Sequence, residues 1–121
     1  MKKISFSSIV LAFNSSNTII ETLESIKKQT LKPAQLIIND DKSKDDTVSK
    51  VEKWLIKNSK IFKNVSFLKN KSRQGSVKSL KNALQLVENE WVKPMAADDL
   101  LDEEYFKKLD NKIKNYNFDI F

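Results

Sequence analysis

Two acid pairs, Asp40-Asp41 and Asp98-Asp99, each stand directly behind a short apolar run, in "QLIINDDKSKDDTVSK" and "WVKPMAADDL". Adjacent carboxylates crowd like charge, which costs free energy unless a cation or a hydrogen-bond donor relieves it. Mg2+ and Mn2+ take oxygen ligands and usually share them with substrate phosphates, so such pairs suit a cation bound together with a diphosphate. Acids behind strands also cap the helices that follow, where the helix dipole contributes about 0.3–1 kcal/mol. That simpler role fits Asp45, Asp46, Asp102 and Glu103. Two pairs at strand ends exceed what capping needs, which leaves Asp40, Asp41 and Asp98 as the candidate ligand-binding acids.

Other chemistries are closed to this chain. It has no cysteine and no histidine, which excludes disulfides, thiol chemistry, structural zinc of the usual kind and imidazole bases. The net charge of +6 rests on lysine, with Arg73 the only arginine. Such a balance suits anionic partners, although lysines on solvated helix faces are the simpler explanation. Nucleic-acid binding has only the charge in its favour, because the aromatics are not interleaved with the lysines and no recognition motif is present.

The elements that must position the acids follow from length and periodicity. A chain of 121 residues, 40% hydrophobic and 31% charged, has the composition of one soluble domain. No window approaches the roughly eighteen apolar residues of a membrane span. The N-terminal MKKISFSSIVLAF lacks a small-residue cleavage site and reads as a strand over 4–13, buried on both faces at its apolar end. Ile19, Ile20, Leu23 and Ile26 follow helical spacing, with Thr18 and Glu21 placed as a capping box. Pro33 breaks the chain before a second strand, Gln35–Asn39.

Val48, Val51, Trp54 and Leu55 mark a second helix, with Ser43 or Asp45 as its N-cap. A third strand covers 65–70. Gly75 sits at a tight turn before a third helix striped by Val77, Leu80, Ala83, Leu84 and Val87. WVKPMA, 91–96, is a fourth extended segment, a last helix spans about 102–116, and FDIF begins a further strand. Alternation of this kind predicts a mainly parallel sheet flanked by helices on both faces, with ligands bound outside the carboxyl ends of the strands. Both acid pairs fall there. A receiver domain shares this outline, but its phosphorylated aspartate ends the third strand, where this chain has Leu68-Lys69-Asn70.

Together, "FSSIVLAFNSSNTIIETLESIKKQT", "LIINDDKSKDDT" and "EWVKPMAADDLLDEEYFKKL" resemble the N-terminal, nucleotide-sugar-binding portion of family 2 glycosyltransferases. The resemblance covers nearly the whole chain and implies a Rossmann-like GT-A nucleotide-binding domain. In the family a hydrophobic strand runs into Asp-Asp-Gly-Ser and then Asp-x-Thr; here Asp40, Asp41, Lys42, Ser43, Asp45 and Thr47 stand at those places. Lys42 replaces the glycine and puts the local turn in question.

The resemblance assigns roles residue by residue. Phe13 stacks on the nucleobase, the alternative being a plain core position. One of Asp40 and Asp41, with Asp41 preferred, accepts a hydrogen bond from the base, typically uracil. Arg73, and less so Lys78, reach the nucleotide or its phosphates. Asp98, with Asp99 beside it, holds Mn2+ or Mg2+, while Ala96 replaces the first acid of the family's Asp-x-Asp motif.

The expected activity is that of the donor-binding part, residues 1–121, of an inverting, metal-dependent glycosyltransferase. It moves a sugar from a nucleoside-diphosphate sugar, a UDP-sugar, to a saccharide or lipid-linked acceptor. The acceptor half and its general base are expected beyond Phe121. A cytoplasmic protein that makes peripheral contact with the inner face of an anionic bacterial membrane is the expected setting; oligomeric state is not legible. The competing expectation is a catalytically inactive nucleotide-binding or interaction module, for which Ala96 speaks.

Overall fold

The computed structural model describes residues 4–116, in which strands and helices alternate. In chain order they are β1 (Phe6–Ala12), α1 (Ile19–Lys27), β2 (Gln35–Asp40), α2 (Thr47–Asn58), β3 (Asn64–Lys69), α3 (Ser76–Leu84), β4 (Trp91–Ala96) and α4 (Tyr105–Asn115). All neighbouring strands pair in parallel, in the order β3-β2-β1-β4. The expected α/β class and parallel sheet are thus observed; the strand expected in FDIF lies outside the described residues.

Strand order fixes where the helices go. The chain steps from β1 to β2 to β3 in one direction, so right-handed crossovers place α1 and α2 on one face; the return to β4 puts α3 on the other. Val10, Ala12, Leu36, Ile38 and Met95 pack with Ile19, Leu23, Ile26, Val51 and Trp54 on the first face. Ile9 and Ile37 pack with Ala83 on the second. β1 and β2 are covered on both sides and are buried almost throughout. The direction reverses between β1 and β4, which is the switch point of the sheet.

Three local expectations are corrected. Thr18 occupies the N-cap of α1 but makes no capping hydrogen bond; its hydroxyl instead turns to Ser15 O, which already accepts the N–H groups of Thr18 and Ile19. Ser43 is not the cap of α2: Asp46 holds that position, while Ser43 is engaged by Asp40. The buried stripe of α3 is rotated, since Val77 is 70% exposed while Ser79 and Ala83 face inward. With only one face of a short helix against the sheet, Ser79 is chosen because its hydroxyl has a partner there, Asn70.

Candidate functional site

The two-residue period of a strand separates the paired acids. Ile37, Asn39 and Asp41 project to the α3 face, as do Ile9, Leu11 and Phe13 of β1 and the loop behind it; Leu36, Ile38 and Asp40 project to the α1/α2 face. Asp40 closes the turn behind β2: its Oδ2 accepts the Ser43 N–H at 2.9 Å and its Oδ1 the Ser43 hydroxyl at 2.5 Å. The structure therefore does not bring Asp40 to the cavity that Asp41 lines. Lys42, between Asp41 and Ser43, adopts φ 63°, so the glycine-type turn survives without the glycine.

Asp41 is 5% exposed and is held by four donors. Asn70 Nδ2 (2.9 Å) and Gln74 N (2.7 Å) reach its Oδ1, and Gly75 N (2.9 Å) and Arg73 Nε (3.2 Å) reach its Oδ2. Burial acts to raise its pKa, but the hydrogen bonds from Asn70, Gln74, Gly75 and Arg73 outweigh it and leave the group below its ordinary value. The carboxylate also stands at the N-terminus of α3, whose dipole favours an anion there. Gly75 makes this possible with φ 89° and ψ 164°, a region essentially restricted to glycine.

A cavity of ≈ 240 Å³ opens beside this cluster, lined among others by Phe13, Asn39, Asp41, Arg73 and Ser76. The Arg73 guanidinium lies over the Phe13 ring. Asn39 is fully buried and donates to Leu68 O and Asn70 Oδ1, while its own Oδ1 has no partner. A second hollow of ≈ 470 Å³ holds Asn14, Ser15, Asn17, Thr18 and Asp98. Both share Leu11, Phe13 and Ala96 as walls, and Leu11 and Ala96 are register partners. The two hollows thus form one trough across the β1/β4 switch point.

The loop after β1, which supplies Asn14 and Ser15 to the second hollow, is tied down by Asp45. Asp45 accepts from Thr47 N (3.0 Å), the Thr47 hydroxyl (2.5 Å) and Ser16 N (3.1 Å). Burial opposes the shift, yet the Thr47 and Ser16 donors bring its pKa down to about 2. Asn14, at φ 47°, accepts from Lys44 N through Oδ1 and donates its N–H to Ser43 Oγ. Asp45 is thus not the N-cap of α2 either; standing one residue before the N-cap Asp46, it accepts the first N–H of the helix and also clamps the loop after β1.

Asp98 is exposed, and its carboxylate has no hydrogen-bond or ion-pair partner among the described residues. Asp99 turns back, its Oδ2 accepting the Ala96 N–H at 3.1 Å. No group of three or more acids gathers among the described residues, so a cation would draw one free carboxylate from this chain. That donor set fits Mg2+ or Mn2+ only if phosphate oxygens and water complete the shell, which is how these ions are commonly held.

Sequence reasoning did not find Asn39, Asn70, Gln74 or Gly75 as partners of the site. The signal was present in Asn39 and Asn70, polar residues at the carboxyl ends of two apolar strands.

The strand order and the trough at its reversal define a doubly wound α/β domain of the GT-A type. The chain belongs to glycosyltransferase family 2, whose model matches residues 7–121. It is 34% identical over 91 residues to the Escherichia coli UDP-Glc:alpha-D-GlcNAc-diphosphoundecaprenol beta-1,3-glucosyltransferase WfaP, covering 75% of this chain and 34% of that protein. Staphylococcus aureus TarS 1-349 in complex with UDP superimposes with a TM-score of 0.80 at 30% identity, covering 92% of this chain and 32% of that one. The mannosyltransferase PcManGT from Pyrobaculum calidifontis, in complex with GDP-Man and Mn2+, gives 0.79 at 25% identity, covering 93% and 32%. The chain thus spans about a third of the length of the relatives it matches. No described helix is long and apolar enough to cross a membrane.

Proposed function

We propose that the chain is the donor-binding part of a glycosyltransferase that uses a UDP-sugar and passes the sugar to a saccharide or lipid-linked acceptor. The observation that carries this reading is the trough itself. Phe13 and Asp41 line its first hollow and Asp98 its second, with Leu11, Phe13 and Ala96 between them. A ring face and an acceptor at one end suit a base; an unpartnered carboxylate at the other suits a cation that carries a diphosphate. The complexes of TarS with UDP and of PcManGT with GDP-Man and Mn2+ support this assignment by likeness.

In this reading Phe13 orients the base, Asp41 accepts a base N–H, and Asp98 holds the cation. The cation, Mn2+ or Mg2+, supplies Lewis-acid stabilisation of the departing diphosphate. The acceptor hydroxyl displaces the nucleoside diphosphate with inversion at the sugar carbon, and its proton passes to a general base. Contact with an anionic membrane through the lysine-rich helices remains part of the proposal. Ala96, at the first position of the metal motif, favours a second reading, a nucleotide-binding module without catalysis.

The test is chemical-shift mapping with UDP, GDP and CDP, followed by assay of sugar release from UDP-sugars. Shifts confined to Phe13, Asp41, Arg73 and Asp98 on addition of UDP support the donor site; equal and scattered responses to all three nucleotides contradict it. UDP binding without sugar release selects the second reading.

A further inference from the structure

The loop that carries Asp98 is held from α1 by hydrogen bonds to its main chain. The hydroxyl of Thr22, a fully buried residue, lies 2.8 Å from both Ala97 O and Asp99 O, so its one proton is shared between the carbonyls on either side of Asp98. One turn on, Ser25 Oγ donates to Thr22 O at 2.7 Å and accepts the Leu101 N–H at 3.2 Å. One further turn on, Gln29 donates to Asp102 O at 2.6 Å and accepts the Phe106 N–H at 3.2 Å. The Thr30 N–H reaches Glu103 O at 3.0 Å.

Thr22 and Ser25 on α1, with Gln29 just behind its C-terminus, thus form one polar stripe. On the other flank, Ala97 N donates to Leu11 O at 3.0 Å. The Asp98 side chain itself has no partner among the described residues, so the backbone that carries it is what places it. We propose that Thr22 is a positioning residue for the cation ligand Asp98, acting through the two carbonyls that flank it. This rests on the reading of Asp98 as the cation-binding carboxylate. Removing groups that orient a metal ligand from behind typically costs about 10- to 100-fold in metal affinity.

The experiment titrates Mn2+ into the 121-residue chain at saturating UDP, with free Mn2+ followed by electron paramagnetic resonance. UDP affinity without metal is measured in parallel. Thr22→Val keeps the shape and removes the hydroxyl; Thr22→Ser restores it. The expected result is Mn2+ affinity lowered by about tenfold or more in Thr22→Val and recovered in Thr22→Ser, with metal-free UDP affinity within about twofold throughout. Ser25→Ala, at a half-buried position, lowers Mn2+ affinity in the same direction and serves as the test if Thr22→Val does not fold.

Mn2+ binding unchanged in Thr22→Val and Ser25→Ala, beside an unmodified chain that binds it, overturns the role of Thr22 and leaves the donor reading standing. An unmodified chain that binds UDP but takes up no Mn2+ overturns the role of Asp98, and the inference with it.

Discussion

The guanidinium carbon of Arg73 lies 3.6 Å from the centre of the Phe13 ring while its Nε donates to Asp41 Oδ2 at 3.2 Å. One side chain therefore covers the ring face and occupies one of about four acceptor positions of the carboxylate, the other three being taken by Asn70, Gln74 and Gly75. Arg73 is the exposed member of the pair, at 58% against 7% for the Asp41 side chain. A base that stacks on this face must displace it. Exposed cation–π contacts contribute about 0.5–1 kcal/mol, so Arg73→Ala is expected to tighten uridine and UDP in parallel by about two- to fivefold. Loss of affinity for UDP alone would instead place Arg73 on the phosphates.

Phe13 itself offers only its ring. Base stacking on an aromatic residue contributes about 1–3 kcal/mol, so Phe13→Ala should weaken UDP binding by roughly 5- to 150-fold, while Phe13→Tyr leaves it within about twofold. Equilibrium titration of the two variants decides between a stacking platform and a plain core position.

Acid should loosen the trough before it loosens the core. Asp41 and Asp45 both have folded pKa values below the ordinary 3.8, Asp45 at about 2. The unfolded chain then binds protons first, so the contribution of both groups is complete well above 3.8 and is lost as pH falls through that value towards 2. Urea midpoints should be flat from about pH 7 to 5 and fall below about pH 4. Asp45→Asn should flatten the lower part of that fall.

Lys42 bears the left-handed turn that leads from Asp41 to Ser43, at φ 63°. A side chain in this region costs about 1–2 kcal/mol, and glycine gives back about 0.5–1 kcal/mol through its freer unfolded state. Lys42→Gly should therefore raise stability by about 0.5 kcal/mol, seen as a higher urea midpoint with an unchanged slope. At Gly75, φ 89° and ψ 164° place the residue where a Cβ is strained even with nothing within 4 Å of it. Gly75→Ala should cost about 1–3 kcal/mol in the same experiment.

Much of this architecture was legible because it rests on periodicity. Ile9, Ile37 and Ile38 announced buried parallel strands, and the order of elements set the edge on which Asp41 and Asp98 lie. The choice between Asp40 and Asp41 was also available, since Asp41 shares the parity of Ile37 and Asn39. The Val77 stripe was misread because a nine-residue helix leaves its register to whichever face finds partners; there Ser79, bonded to Asn70, outweighs an apolar neighbour. Thr22 carried no signal: its partners are main-chain carbonyls 75 and 77 residues away, and main-chain carbonyls look alike in every sequence.

Calorimetric titration of the chain with UDP, with and without Mn2+, tests the central claim most directly. The account predicts saturable binding at one site, tightened by Mn2+, with the Mn2+ effect lost in Asp98→Ala and the metal-free affinity weakened in Phe13→Ala. No UDP binding at millimolar nucleotide, or a Mn2+ effect that survives Asp98→Ala, would contradict it.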